Sequence, residues 1–145
     1  MNQLSNKLVI LVAGGTGGHI YPAISTFNFL KGKVVLCIIT DKRGYAYFNE
    51  IKKDITSKDK FKLIILNSIS PYNKSFVKKI NFLLISIFSS FRIFFTFLKL
   101  KPNLLIGYGG YTSVIPCLVG KFFGTDYLIH EQNAVMGRAN KFLER

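Results

Sequence analysis

Apolar residues come along this chain in two rhythms. Short continuous runs occupy Lys7–Ala13 (KLVILVA), Val34–Ile39 (VVLCII), Phe61–Leu66 (FKLIIL), Leu104–Ile106 and Tyr127–His130. Runs of this length and β-branched content predict strands buried on both faces, as in a parallel sheet. Between them the apolar positions recur at helical spacing. Ile20, Ala23, Ile24, Phe27 and Leu30 predict a helix over 20–30, with Pro22 in its first turn, where proline is tolerated. Further helices are expected at Tyr45–Ile51, at Thr112–Phe123 with a stop at Gly124, and from Arg138 to Leu143. Strands alternating with helices, with no repeat and no low-complexity linker, predict one α/β domain over residues 1–145. Its expected form is a Rossmann-like parallel sheet with helices on both faces.

The stretch from Lys74 to Lys101 has its own pattern. Phe82–Leu98 approaches the length of a bilayer span, which needs about 20 apolar residues. Ser86, Ser89, Ser90, Arg92 and Thr96 interrupt it. At 100° per residue, Phe76, Ile80, Leu84, Ile87, Phe88, Phe91, Phe94, Phe95 and Leu98 form one stripe, with Lys78, Lys79, Ser86, Ser89, Arg92 and Lys99 opposite. This predicts an amphipathic helix whose C-terminal half packs on the core. In its N-terminal half, Phe76, Ile80, Leu84 and Ile87 are ringed by Lys74, Lys78 and Lys79, which suits an anionic lipid surface.

Charge widens the list of partners. Twenty Lys and Arg against seven Asp and Glu give a formal net charge of +13. That balance favours nucleic acid, phosphorylated substrates or an anionic membrane. An AT-rich coding sequence, generous in Lys, Ile, Asn and Phe, produces the same excess. Cys37 and Cys117 sit in apolar runs without metal or redox spacing, so buried free thiols are expected. The polar start Met1–Lys7 precedes an apolar run too short for a signal segment, so no export signal is read.

Candidate chemistry gathers where strands end. Gly14-Gly15-Thr16-Gly17-Gly18-His19 follows the first strand and opens a helix, a position where free N–H groups suit a phosphate. Gly107-Tyr108-Gly109-Gly110-Tyr111-Thr112-Ser113 repeats the arrangement after the fourth strand. His130-Glu131-Gln132-Asn133 follows the fifth, placed to contact a ligand, to supply Asn133 as a helix cap, or to do both. Loops at the carboxyl ends of parallel strands can face one crevice. His19 is the candidate general base for a hydroxyl, and Glu131 is a rival. No metal-ligand spacing appears, and no cofactor is called for.

These motifs, in this order and spacing, resemble the signatures of the MurG family. Gly14–His19 with Pro22 resembles the family's first glycine loop and Gly107–Ser113 its second. His130–Asn133 with Gly137, Asn140 and Lys141 resembles the third. The likeness runs from Lys7 to Arg145. It implies the N-terminal half of a GT-B glycosyltransferase, with the C-terminal UDP-sugar domain absent from this chain. It implies metal-free, inverting transfer of N-acetylglucosamine from its UDP donor to undecaprenyl-pyrophosphoryl-MurNAc-pentapeptide (lipid I to lipid II) in peptidoglycan synthesis. The setting would be peripheral, on the cytoplasmic face of the bacterial inner membrane, with no nucleic-acid partner. On this likeness Thr16, Gly17, Gly18 and Asn133 correspond to donor contacts. The glycine loops, with Gly14, Gly15, Gly109 and Gly110, would hold the acceptor diphosphate. His19 would be the base, with Tyr111 and Asn133 nearby and Glu131 among the substrate-binding residues. Ile80, Leu84 and Ile87, with Lys74, Lys78 and Lys79, correspond to a membrane-docking patch. Little or no transferase activity is expected of the chain alone.

Two other readings stay open on the residues alone. An NAD-type Rossmann domain would use Asp41, at the end of the second strand, for a ribose. Its glycine fingerprint is imperfect, because counting from Gly15 puts Ile20 at the third glycine position. A non-catalytic basic module for membrane or nucleic acid would use the charge but leave both glycine loops unexplained.

Overall fold

The computed structural model describes residues 6–51, 61–67 and 76–144; within 76–83 only the side chain of Ile80 is described. The elements run β1 (Leu8–Val12), α1 (Gly17–Leu30), β2 (Val35–Asp41), α2 (Lys42–Ile51), β3 (Phe61–Leu66), α3 (Phe76–Leu100), β4 (Leu104–Gly107), α4 (Tyr111–Phe122), β5 (Asp126–Ile129) and α5 (Arg138–Leu143). The five strands form one parallel sheet in the order β3-β2-β1-β4-β5. Val12 stands level with Ile39 and Gly107, and Gly107 with Ile129. The loops that follow these strands therefore leave the sheet along one edge.

Strand alternation divides the core in two. Ile10, Val12, Cys37 and Ile39 pack on one face with Ile93 and Phe97 of α3, Cys117 of α4 and Leu143 of α5. Val9, Leu11, Leu36 and Ile38 pack on the other with Ile20, Ala23 and Phe27 of α1 and Phe48 of α2. This is the doubly wound architecture the sequence predicts. Helix starts differ from the periodicity reading: α1 begins three residues before Ile20 and α2 three before Tyr45. The first turn of a helix carries few core contacts, so apolar spacing does not register it.

The orientation of α3 corrects the expectation. Its core-facing ridge is Ser89, Ile93 and Phe97, all buried, whereas Phe88 is 73%, Phe91 60%, Phe95 63% and Leu98 46% exposed. The predicted core stripe faces outward along most of the helix. The neighbouring strand explains the reversal. β3 is an edge strand, and carbonyls at its end need donors. Arg92 Nη1 donates to the carbonyl of Ile65 at 2.7 Å, and Ser89 Oγ to that of Asn67 at 3.4 Å. These bonds turn the polar side of α3 toward the protein. Phe94 leans on α4, with its ring centroid 5.0 Å from that of Phe123. Ile80, Leu84 and Ile87 are also exposed, and Phe122 of α4 extends the apolar surface. Lys74 lies outside the described residues, as do the side chains of Lys78 and Lys79. No helix among the described residues is long and apolar enough to cross a membrane.

Candidate active site

The chain after β1 enters α1 on one face of the sheet, and the chain after β4 enters α4 on the other. These adjacent strands mark the topological switch point, where open α/β sheets form a ligand crevice. The first glycine loop is tightly enclosed at its start. A Cβ on Gly14 would lie 2.5 Å from Thr112 Oγ1 and 3.0 Å from Asp41 Cγ. Thr16 is the N-cap of α1, but its side chain makes no cap bond. Its carbonyl accepts from the N–H groups of His19 and Ile20 at 3.1 and 3.2 Å. Gly17 and Gly18 stand at the first two helical positions, whose N–H groups have no intrahelical acceptor.

The second loop runs directly beneath His19. Gly109 and Gly110 have φ of +87° and +73°, a region that side chains other than glycine avoid. A Cβ on Gly109 would lie 3.2 Å from Cε1 and Nδ1 of the His19 ring, and one on Gly110 3.6 Å from its Cδ2 and Nε2. The bare backbone of this loop is thus the floor on which the imidazole rests. Ser113 ties the loop to β1: its hydroxyl bonds the carbonyls of Gly109 at 2.8 Å and Val12 at 3.2 Å. Tyr111, the first residue of α4, is half-buried.

The third loop is locked by its own acid. Glu131 accepts from the backbone N–H of Gly137 at 2.8 Å and of Asn133 at 3.0 Å, and from the side-chain amides of Asn133 and Asn140 at 2.9 Å each. The Gly137 N–H leads these donors in outweighing desolvation, and together they pull the carboxyl from 4.5 to about 2. A carboxylate so committed is a poor proton acceptor near neutral pH, which removes Glu131 as the rival base. Asn133 caps no helix, because α5 starts at Arg138 with Gly137 as its N-cap. The buried Asn140 also donates to the carbonyl of His130 at 3.1 Å. His130 is exposed, with its ring 5.3 Å from that of Tyr108. Gln132 reaches across to His19, its Nε2 against the ring Nδ1.

Asp41 does not await a ribose. It is buried, and its Oδ1 accepts from the Gly44 N–H at 2.9 Å while Oδ2 pairs with Arg43 at 3.2 Å. Burial alone would raise its pKa. The N–H groups of Gly44 and Gly15 and the Arg43 guanidinium outweigh burial and hold the carboxyl below its ordinary range. Its work is to pin the first glycine loop and the start of α2, so the feature on which the NAD-type reading stood is used internally.

The structure brings Gly14–His19, Gly109–Tyr111 and Glu131–Asn133 to one edge of the sheet, as the strand-end positions of these motifs predict. Three residues received no role from the sequence. Gln132 touches His19, Asn140 holds the third loop, and Arg43 places its guanidinium 3.5 Å from where a Cβ on Gly15 would lie. Gln132 and Asn140 carried a signal only as members of the third motif, and Arg43 carried none.

A model of the glycosyltransferase family 28 N-terminal domain matches residues 9–145. Over 134 residues the chain is 37% identical to the UDP-N-acetylglucosamine–N-acetylmuramyl-(pentapeptide) pyrophosphoryl-undecaprenol N-acetylglucosamine transferase of Wolbachia sp. subsp. Brugia malayi, covering 92% of this chain and 35% of that protein. The protein of the same name from Vesicomyosocius okutanii is 32% identical over 139 residues, covering 96% of this chain and 39% of its own length. Among solved structures, Acinetobacter baumannii MurG superposes with a TM-score of 0.75 at 26% identity, over 95% of this chain and 39% of that one. A UDP-N-acetylglucosamine 2-epimerase shares the fold alone, with a TM-score of 0.54 at 11% identity, over 97% of this chain and 35% of that one. The chain spans well under half the length of these relatives. With three strand-end loops meeting at the switch point of a parallel sheet, and a match over nearly its whole length, the chain belongs to the glycosyltransferase family 28 N-terminal domains.

Proposed function

We propose that this chain supplies the acceptor side of the reaction named in its relatives. That reaction is transfer of N-acetylglucosamine from UDP-N-acetylglucosamine to undecaprenyl-pyrophosphoryl-MurNAc-pentapeptide, a step of peptidoglycan synthesis, with inversion. The observation that carries the reading is the seating of His19. Its ring lies on the bare backbone of Gly109–Gly110, at the mouth between β1 and β4, beside the open end of α1. In this reading the glycine loops, through Gly14, Gly15, Gly109 and Gly110, hold the acceptor diphosphate. His19 takes the proton from the acceptor hydroxyl as its oxygen attacks the anomeric carbon and the bond to UDP breaks. Thr16, Gly17, Gly18 and Asn133 reach the donor, which a C-terminal UDP-sugar domain would mainly hold.

The exposed apolar residues of α3 support peripheral docking on the cytoplasmic face of the inner membrane, with Ile80, Leu84 and Ile87 at one end of the contact. In sequence Lys74, Lys78 and Lys79 adjoin that end and would supply its basic charge. The test is transfer of labelled N-acetylglucosamine to the lipid-linked acceptor, by the chain alone and with a separately produced C-terminal domain of a relative. Little transfer is expected alone, and clear transfer from the mixture. In the mixture His19→Ala is expected to lose about 10²-fold or more in kcat. Full activity of the chain alone would overturn the division of labour, and an unimpaired His19→Ala mixture would overturn the role of the base.

A further inference from the structure

The contact between Gln132 and His19 joins the third loop to the first across 113 residues of sequence. The loop carrying Gln132 is hydrogen-bonded on both sides. The His130 N–H donates to the Gly107 carbonyl at 2.8 Å, and the four donors on Glu131 fix the following turn. The Gln132 side chain is therefore held against Nδ1 by its backbone. Its carbonyl end, Oε1, is buried and has no hydrogen-bond donor among the described residues. The other ring nitrogen, Nε2, makes no hydrogen bond with any described residue and lies above Gly110.

A neutral imidazole carries one proton, and the partner of one nitrogen decides the state of the other. If the amide NH₂ of Gln132 donates to Nδ1, the ring proton sits on Nε2. The crevice then meets a donor, not a base. If the amide turns half a revolution about its last bond, its carbonyl accepts from an Nδ1–H and Nε2 keeps a bare lone pair. No described residue donates to Oε1 where it lies, so this turn exchanges one contact for one. Only the turned amide tolerates the imidazolium formed when His19 takes a proton. With the NH₂ end inward, two donors would face each other.

We propose that Gln132 is the positioning residue of His19. Its amide carbonyl holds the proton on Nδ1, so that Nε2 presents a free lone pair to the crevice. Its catalytic consequence rests on the glycosyl-transfer reading above; the tautomer itself does not.

The test is long-range ¹H–¹⁵N correlation of the imidazole rings in the ¹⁵N-labelled full chain, in alkaline buffer. Only His19 and His130 contribute. Wild type is expected to show a protonated Nδ1 and bare Nε2 at His19. Gln132→Met should move His19 toward the Nε2–H form that free imidazole side chains prefer, while the His130 pattern and the dispersed amide spectrum stay in place. Gln132→Glu, which keeps an acceptor oxygen at Nδ1, should restore the wild-type tautomer. A wild-type His19 protonated on Nε2, or a tautomer indifferent to Gln132→Met, overturns the proposal. Should Gln132→Met fail to fold, the wild-type and Gln132→Glu spectra decide. In the reconstituted transferase, Gln132→Met should lower kcat about 10²-fold with little change in KM. If the tautomer behaves as described but no transfer is ever seen, the positioning role stands and the glycosyl-transfer reading falls.

Discussion

Four donors meet the Glu131 carboxylate, and the consequence is a dependence on pH with a definite sign. The carboxyl titrates at about 2 in the folded chain against 4.5 ordinarily. Its contribution to the loop is complete above about pH 4.5 and is lost as pH falls toward about 2. Hydrogen exchange at the Asn133 and Gly137 amides should therefore quicken, relative to β1 amides, over that interval. Glu131→Gln should remove most of the pH dependence. Identical relative exchange at about pH 5 and about pH 2.5 would refute the latch. Cys37 and Cys117 are buried and free, and burial pushes both thiols up to about 12. Neither should react with a thiol reagent in the native chain, while both should react in denaturant. At Gly109, a methyl group would meet the His19 ring in a backbone conformation of φ +87°. Gly109→Ala should cost about 1–2 kcal/mol in denaturant unfolding. His19 was legible in the sequence because it follows a glycine loop at a helix start. Gln132 was not, because no local pattern says which of four polar residues reaches a ring 113 positions away.

Among the elements, α3 separates what periodicity can and cannot tell. A helical wheel finds the apolar stripe but not the direction in which it points. That direction goes with the edge-strand carbonyls of Ile65 and Asn67, which accept from Arg92 and the buried Ser89. The strands, by contrast, read correctly because a continuous β-branched run has apolar residues for both faces. The two sides of α3 should respond differently to substitution. Phe97→Ala, on the buried ridge, should destabilise by about 3–5 kcal/mol. Phe91→Ser should change stability by no more than about 0.5 kcal/mol and weaken binding to anionic vesicles. Urea titration and vesicle cosedimentation measure the two effects. A Phe91→Ser chain that binds vesicles as wild type does would remove the lipid role of this face.

On the scale of the whole molecule, sheet order does most of the assembling. With β1 and β4 adjacent at the centre, three loops distant in sequence emerge side by side. Alternation of strands and helices made that edge foreseeable, but not the internal use of Asp41, which depends on how β2 ends beside the first loop. The +13 charge belongs to this scale too, as a property of the whole chain. Vesicle binding should weaken steeply from about 0.05 to about 0.5 M salt, as the Debye length falls below about 10 Å. Binding that ignores salt would leave the charge without a part in docking.

The length of α3 would give the proposed docking a mechanical character. Twenty-five helical residues extend about 37 Å. A crossover helix between parallel strands runs back along the sheet, so its first turns lie near the edge that carries the loops. A body resting on such a stripe touches the bilayer along a line. Pitching about the short axis is then suppressed, and only rolling about the helix remains. The crevice would keep a nearly constant height above the headgroups while its mouth swings toward or away from them. Under the proposed function, a lipid-linked acceptor anchored in the same plane would thus meet the site through one angular coordinate.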